Sequence, residues 1–183
     1  MLSQPFLLRG SLTLALLVLS PLAHALRSES ALSEAEVEQL RDSAYVPADR
    51  LMVFIKFLDS RTRHIQELFA RPRQPGREED THDLLEQITA VADELEDNLD
   101  DYGPHHRDIR KSLPKLIEAT DRWSYALRTP PDNEFYGVSR KLALESIHDI
   151  HESATNLIED QKIWFAAHPP PKLDQTAPLG PPR

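Results

Sequence analysis

Cysteine is absent from the 183-residue chain. Its absence excludes disulfides, thiolate metal sites, covalent haem attachment and a lipoprotein acceptor, so packing alone must hold the fold. Glycine is scarce as well: of five, only Gly76, Gly103 and Gly137 fall in the long central region. There is no phosphate-cradling glycine loop, no G-x-S-x-G nucleophile turn and no H-E-x-x-H zinc motif. No segment beyond the leader is apolar enough to span a membrane. Basic residues are missing where acids gather, with eleven acids and no Lys or Arg between Glu78 and Asp101. The formal charge of −9, without a basic surface interleaved with aromatics, argues against nucleic acid and against an anionic membrane surface.

The two ends differ from the body. Arg9, the apolar run Leu12–Leu19 (LTLALLVL), the helix-breaking Pro21 and the small residues of Ala23-His24-Ala25 form a secretory signal peptide over residues 1–25, with cleavage expected after Ala25. The apolar run is shorter than the roughly 20 residues a membrane span needs. The mature chain is expected in the periplasm or secreted, without membrane attachment once the signal is removed. Residues 26–32 are a short lead. At the other end, residues 168–183 (HPPPKLDQTAPLGPPR) hold six of the fifteen prolines. Proline lacks a backbone donor and fixes φ, so this tail is expected to be extended and disordered, with a linker or recognition role as the alternative.

Residues 33–167 carry a repeated 3.6-residue apolar period and no sustained strand-like alternation. Ser33 and Glu36 form a capping-box pattern, with Leu32 placed to staple against Val37. A short helix follows and ends before Pro47. The next is predicted from about Ala48 to Ala70, with Leu51, Phe54, Ile55, Leu58, Thr62, Ile65 and Phe69 on one stripe. Val53 and Phe57 lie on its other side and require a cover, which the short first helix supplies. After the loop Arg71–Arg77, a helix from about Glu79 to Tyr102 turns Leu84, Ile88, Val91, Leu95, Leu99 and Tyr102 inward, and Gly103 suits a left-handed stop. The fourth helix repeats Ile109, Leu113, Leu116, Thr120, Trp123 and Leu127. Pro114 either kinks it or sits in the first turn of a segment begun at Ser112. The last helix runs from about Glu134 to Ala166, inward through Ala143, Ile147, Ile150, Ala154, Leu157, Gln161 and Trp164, with an overhang or bend near Gly137. Short connections imply antiparallel neighbours. The expected fold is all-α: an antiparallel up-and-down four-helix bundle with a short extra N-terminal helix. The acidic third helix is expected between basic neighbours, as charge matching or as a docking face for a basic partner or divalent cations.

Histidines raise the question of metal. Glu145 and His148 repeat E-x-x-H, half of a di-iron bundle motif, as do Glu79 and His82. With Ala143, Ile147, Ile150 and Ala154 inward, Glu145, His148 and Glu152 lie roughly 140–200° away, in solvent, and His151 falls on the boundary. An interior di-metal site is therefore rejected. A surface site of His148 and Glu152, with His151 beside it, is the candidate for Zn²⁺ or Cu²⁺. His105 and His106 add to it only if their helix adjoins. Met52 has no inward histidine opposite it, which argues against haem. Thr62, Thr120 and Gln161 form the buried polar set, fixing register or lining a ligand cavity. Both tryptophans, Trp123 and Trp164, suit the core, while Tyr125 points outward.

No catalytic constellation appears. The expectation is an exported, non-enzymatic binding or interaction module of the cell envelope with a protein partner and no cofactor. The alternative is a small-ligand or divalent-metal carrier with its site between helices or around His148.

Overall fold

The computed structural model describes residues 31–169. The expected signal peptide over residues 1–25, residues 26–30 and the tail from residue 170 lie outside them. All described secondary structure is helical: α1 (Glu34–Asp42), α2 (Pro47–Ala70), α3 (Arg77–Tyr102), α4 (Leu113–Leu127) and α5 (Gly137–Ala167).

The capping box at the start of α1 forms as the sequence indicates. Glu36 N donates to Ser33 Oγ at 3.3 Å, and Ser33 N donates to Glu36 Oε2 at 2.9 Å. Leu32 is buried in the core, whereas Val37 stays exposed. α1 then lies along α2. The Arg61 guanidinium donates to Glu36 at 2.8 Å and to the Ala31 carbonyl at 2.5 Å, and Arg50 donates to the Leu40 carbonyl at 3.0 Å. Arg50, Phe57 and Arg61 share a helical stripe, and Phe57 on that stripe is buried, so the short helix is the cover that the all-round apolar α2 requires.

The buried stripe of α3 is wider than expected, taking in Thr81 and Ala92, and differs from the expectation at one leucine. Leu85, not Leu84, is fully buried, and Leu84 is half-buried. Gly103 is right-handed (φ −58°) rather than left-handed. Space is tight there: a Cβ would sit 3.0 Å from Leu157 Cδ2 on α5, so that side chain would have to give by a few tenths of an ångström. The left-handed residues are Gly76 (φ 86°), before α3, and His106 (φ 50°), in the following turn.

Pro114 stands in the first turn of α4, so the helix begins there rather than kinking. Ser112 makes no side-chain cap; its Oγ donates to the Ala48 carbonyl at 3.0 Å. α4 is thus only about 22 Å long at 1.5 Å per residue, shorter than its sequence period suggests. α5 begins at Gly137 and runs unbroken for 31 residues.

Packing joins α2 with α3, α2 with α4, α3 with α5 and α4 with α5, which is consistent with a four-helix arrangement. α3 and α4 do not pack on each other among the described residues, contrary to the expectation for consecutive helices. The irregular stretch 103–112 carries the chain across. Gln161 holds this stretch from α5: its Oε1 accepts from Ile109 N at 3.2 Å and its Nε2 donates to the Arg107 carbonyl at 2.7 Å.

Helix direction follows from the contacts. Arg50 early in α2 meets Asn98 late in α3, and Arg107 ahead of α4 meets Gln161 late in α5 while Pro130 after α4 meets Arg140 early in α5, so α2–α3 and α4–α5 are antiparallel pairs. Ala48 meets Ser112 and Asp59 meets Trp123, so α2 and α4 run parallel. His82 meets Ser139, Asp93 meets Ser146 and Glu96 meets Ser153, so α3 and α5 also run parallel.

The candidate functional site: an acidic seam between parallel helices

Ser139, Ser146 and Ser153 stand seven residues apart on α5 and so share a face. Each bonds to α3. Ser139 Oγ is 2.9 Å from His82 Nδ1, Ser146 donates to Asp93 at 2.9 Å, and Ser153 donates to Glu96 Oε1. Small hydroxyl side chains let the two helices approach and supply donors to carboxylates that have few others.

Those donors are scarce because both helices are acidic where they meet. α3 has no Lys or Arg after Arg77, and α5 has none between Lys141 and Lys162. The expected match between α3 and basic helices holds only towards α2, where Arg50 lies 3.7 Å from Glu94. The cations of α4 face elsewhere; Arg122 pairs with Asp59 of α2 at 3.3 Å. Asp93, Asp97, Asp100, Asp149 and Asp160 therefore have no basic partner among the described residues. Burial pushes the Glu96 carboxyl above its ordinary range; the Ser153 hydrogen bond opposes this, and Asp100, Asp149 and Asp97 reinforce it. Glu96 Oε2 is buried with no hydrogen-bond partner.

Apolar clefts flank the acids. At one end of the seam, a cleft of about 720 Å³ is lined by Leu99, Gly103, Leu157, Gln161, Ile163 and Trp164, among others, with Asp100 and Asp160 also lining it. Ile163 is 68% exposed there. At the other end, a smaller cleft of about 260 Å³ lies between Glu86, Ala90 and Asp93 of α3 and Ser139 and Leu142 of α5. Phe135, Val138 and Leu142 are exposed beside it, and Phe135 packs edge-on to His82 at 5.7 Å.

Trp164 is not a core residue. It is half-buried in the larger cleft, stacked between His106 at 4.2 Å and His168 at 4.5 Å. Trp123 is fully buried, and its Nε1 donates to Asp59 at 2.7 Å. Tyr125 is exposed.

The sequence-predicted metal residues separate into two groups. His148 and Glu152 are both exposed, with His148 Nε2 3.5 Å from Glu152 Oε1. His151 turns the other way: its Nδ1 is 2.8 Å from Thr120 Oγ1 and 4.0 Å from Asp121. Glu145 is exposed. His105 bonds the Asp101 carbonyl and His106 stacks on Trp164, so neither adjoins His148. His82 pairs with Glu86 at 3.1 Å while Glu79 is exposed. Among the described residues no three His, Asp or Glu side chains converge as a metal would require. Thr62, Thr120 and Gln161 are buried as expected, but each has separate partners, Leu58 for Thr62, Ile117 and His151 for Thr120, and Ile109 and Arg107 for Gln161, and they line no shared cavity.

No family model, curated protein or solved structure matches the chain. The residues that make the seam had one legible signal in the sequence, the seven-residue serine spacing. The pairing of α3 with α5 had none.

Proposed function

We propose that the chain is an exported, non-enzymatic binding module of the cell envelope, built as a four-helix bundle with a short extra N-terminal helix, and that it holds a protein partner against the α3–α5 seam. One observation carries this reading: two acidic helices lie side by side, in the same direction, with no basic residue along the stretch between them. Like charges so arranged cost stability, and a basic partner removes that cost. Export rests on the leader sequence.

A small-ligand carrier is the second reading, favoured by the larger cleft, whose volume of about 720 Å³ falls in the range of small-molecule sites. Divalent metal around His148 is its weaker form.

Site-specific photocrosslinkers at Asp97 and Ile163, compared with Lys56 and Arg122 on other faces, test the proposal in the native host. Adducts confined to Asp97 and Ile163 are expected. Equal yields at all four positions, or adducts only at Lys56 and Arg122, overturn it. Native mass spectrometry of the exported protein separates the second reading by a bound small mass, and its intact mass checks cleavage after Ala25.

A further inference from the structure

Resting on the binding-module reading, we infer that the seam's occupant is a basic amphipathic helix of a partner protein. Length excludes a compact ligand. Along α5 the exposed apolar residues run from Val138 and Leu142 at one cleft to Ile163 at the other. That separation is roughly 32–38 Å at 1.5 Å per residue, the length of a helix of about 21–25 residues. A groove between two packed helices has the shape that receives a third.

Chemistry is ordered along the groove. Apolar clefts hold both ends, rimmed by Asp93 at one and by Asp100 and Asp160 at the other, and between them stand Glu96 and Asp97 of α3 with Asp149 of α5. The occupant therefore carries large apolar side chains towards its ends and Lys or Arg between. A free polyamine matches the acids and leaves the clefts unfilled. A second copy of this chain offers no free helix of the kind, because the apolar face of its basic α4 is buried in its own core. Residues 170–183 contain five prolines and only two basic residues, a composition unlike that of such a helix.

Isothermal titration of the full mature chain tests the assignment with three probes: a 21-residue Leu–Lys peptide of helical period, its Leu–Glu counterpart, and spermidine. The Leu–Lys peptide is expected to bind at least about tenfold more tightly than either other probe, with affinity falling as salt rises. The combined variant D97N/D100N/D160N, and separately I163S, are each expected to weaken it about tenfold or more, with unchanged circular dichroism. Equal binding of Leu–Lys and Leu–Glu peptides overturns the basic occupant and leaves the cleft as a docking site. Spermidine binding as tightly as the peptide overturns the helix. Leu–Lys binding that ignores all seam substitutions overturns the seam itself, and with it the proposed function. Binding seen only in a chain ending at Pro169 makes the tail the occupant and overturns the inference.

Discussion

Ser153 and Glu96 face each other across two parallel helices: the serine hydroxyl donates to one carboxylate oxygen, and the other oxygen is buried without a hydrogen-bond partner. Burial, opposed by that hydrogen bond and reinforced by Asp100, Asp149 and Asp97, raises this carboxyl above 4.5. A folded-state value above the unfolded one means that the native chain binds the extra proton. The stability this gives is present in full below about pH 4.5 and is lost as pH rises through the raised value. Glu96→Gln should therefore flatten that stretch of the stability–pH curve and stabilise the protein at pH 7, by removing a half-buried charge set among Asp100, Asp149 and Asp97. Urea melts at pH 4 to 8 check both.

Glu36 predicts the opposite pH response. Burial raises its carboxyl, but the Arg61 and Ser33 hydrogen bonds and the Arg61 charge outweigh this and hold it low. Its contribution is complete above about pH 4.5 and is lost on acidification through the lowered value. Arg61→Ala removes the pair and the bond to the Ala31 carbonyl, leaves Glu36 half-buried with only Ser33 as a donor, and should cost about 3 kcal/mol. Limited proteolysis should then cut between Asp42 and Pro47 as α1 lifts from α2.

Gln161 should be as sensitive. Gln161→Leu leaves Ile109 N and the Arg107 carbonyl without their partner, at about 2 kcal/mol or more. Hydrogen exchange at Ile109 should accelerate more than at core amides of α2, because the effect is local to the crossing turn.

For metal, the exposed pair His148 and Glu152 supplies only two ligands. Zn²⁺ titration should give millimolar binding, abolished by His148→Ala and untouched by His151→Ala, since His151 faces Thr120. Micromolar binding, or dependence on His151, would show a site of a different construction.

Local structure was legible wherever one residue's chemistry decides it. Ser33 and Glu36 fix a helix start, and the run from Ala143 to Ala154 gives the buried phase of α5, correctly leaving Glu145, His148 and Glu152 in water. Pro114, by contrast, left a kink and a first turn both open until the structure placed it in the first turn of α4. Leu85 in place of Leu84 is a phase error of one residue between two adjacent leucines. Neighbour choice was not legible. Periodicity says which face of a helix is buried but not which helix buries it, and the crossing of residues 103–112 depends on long-range bonds to Gln161. The acidic seam follows from that crossing, so it was invisible in either helix alone. Trp164 misled for a related reason: it lies on the inward stripe of α5 but beyond the end of α3, where nothing covers it fully.

Parallel packing of α3 and α5 is what creates an uncompensated acidic groove, and spin labels in this cysteine-free chain read it directly. Cysteines at Asp83 and Lys141 are compared with cysteines at Asp83 and Lys162, all exposed positions. The first pair should lie close and the second more than about 30 Å apart by helix rise. The reverse order, a short Asp83–Lys162 distance and a long Asp83–Lys141 one, would mean antiparallel helices and no such groove.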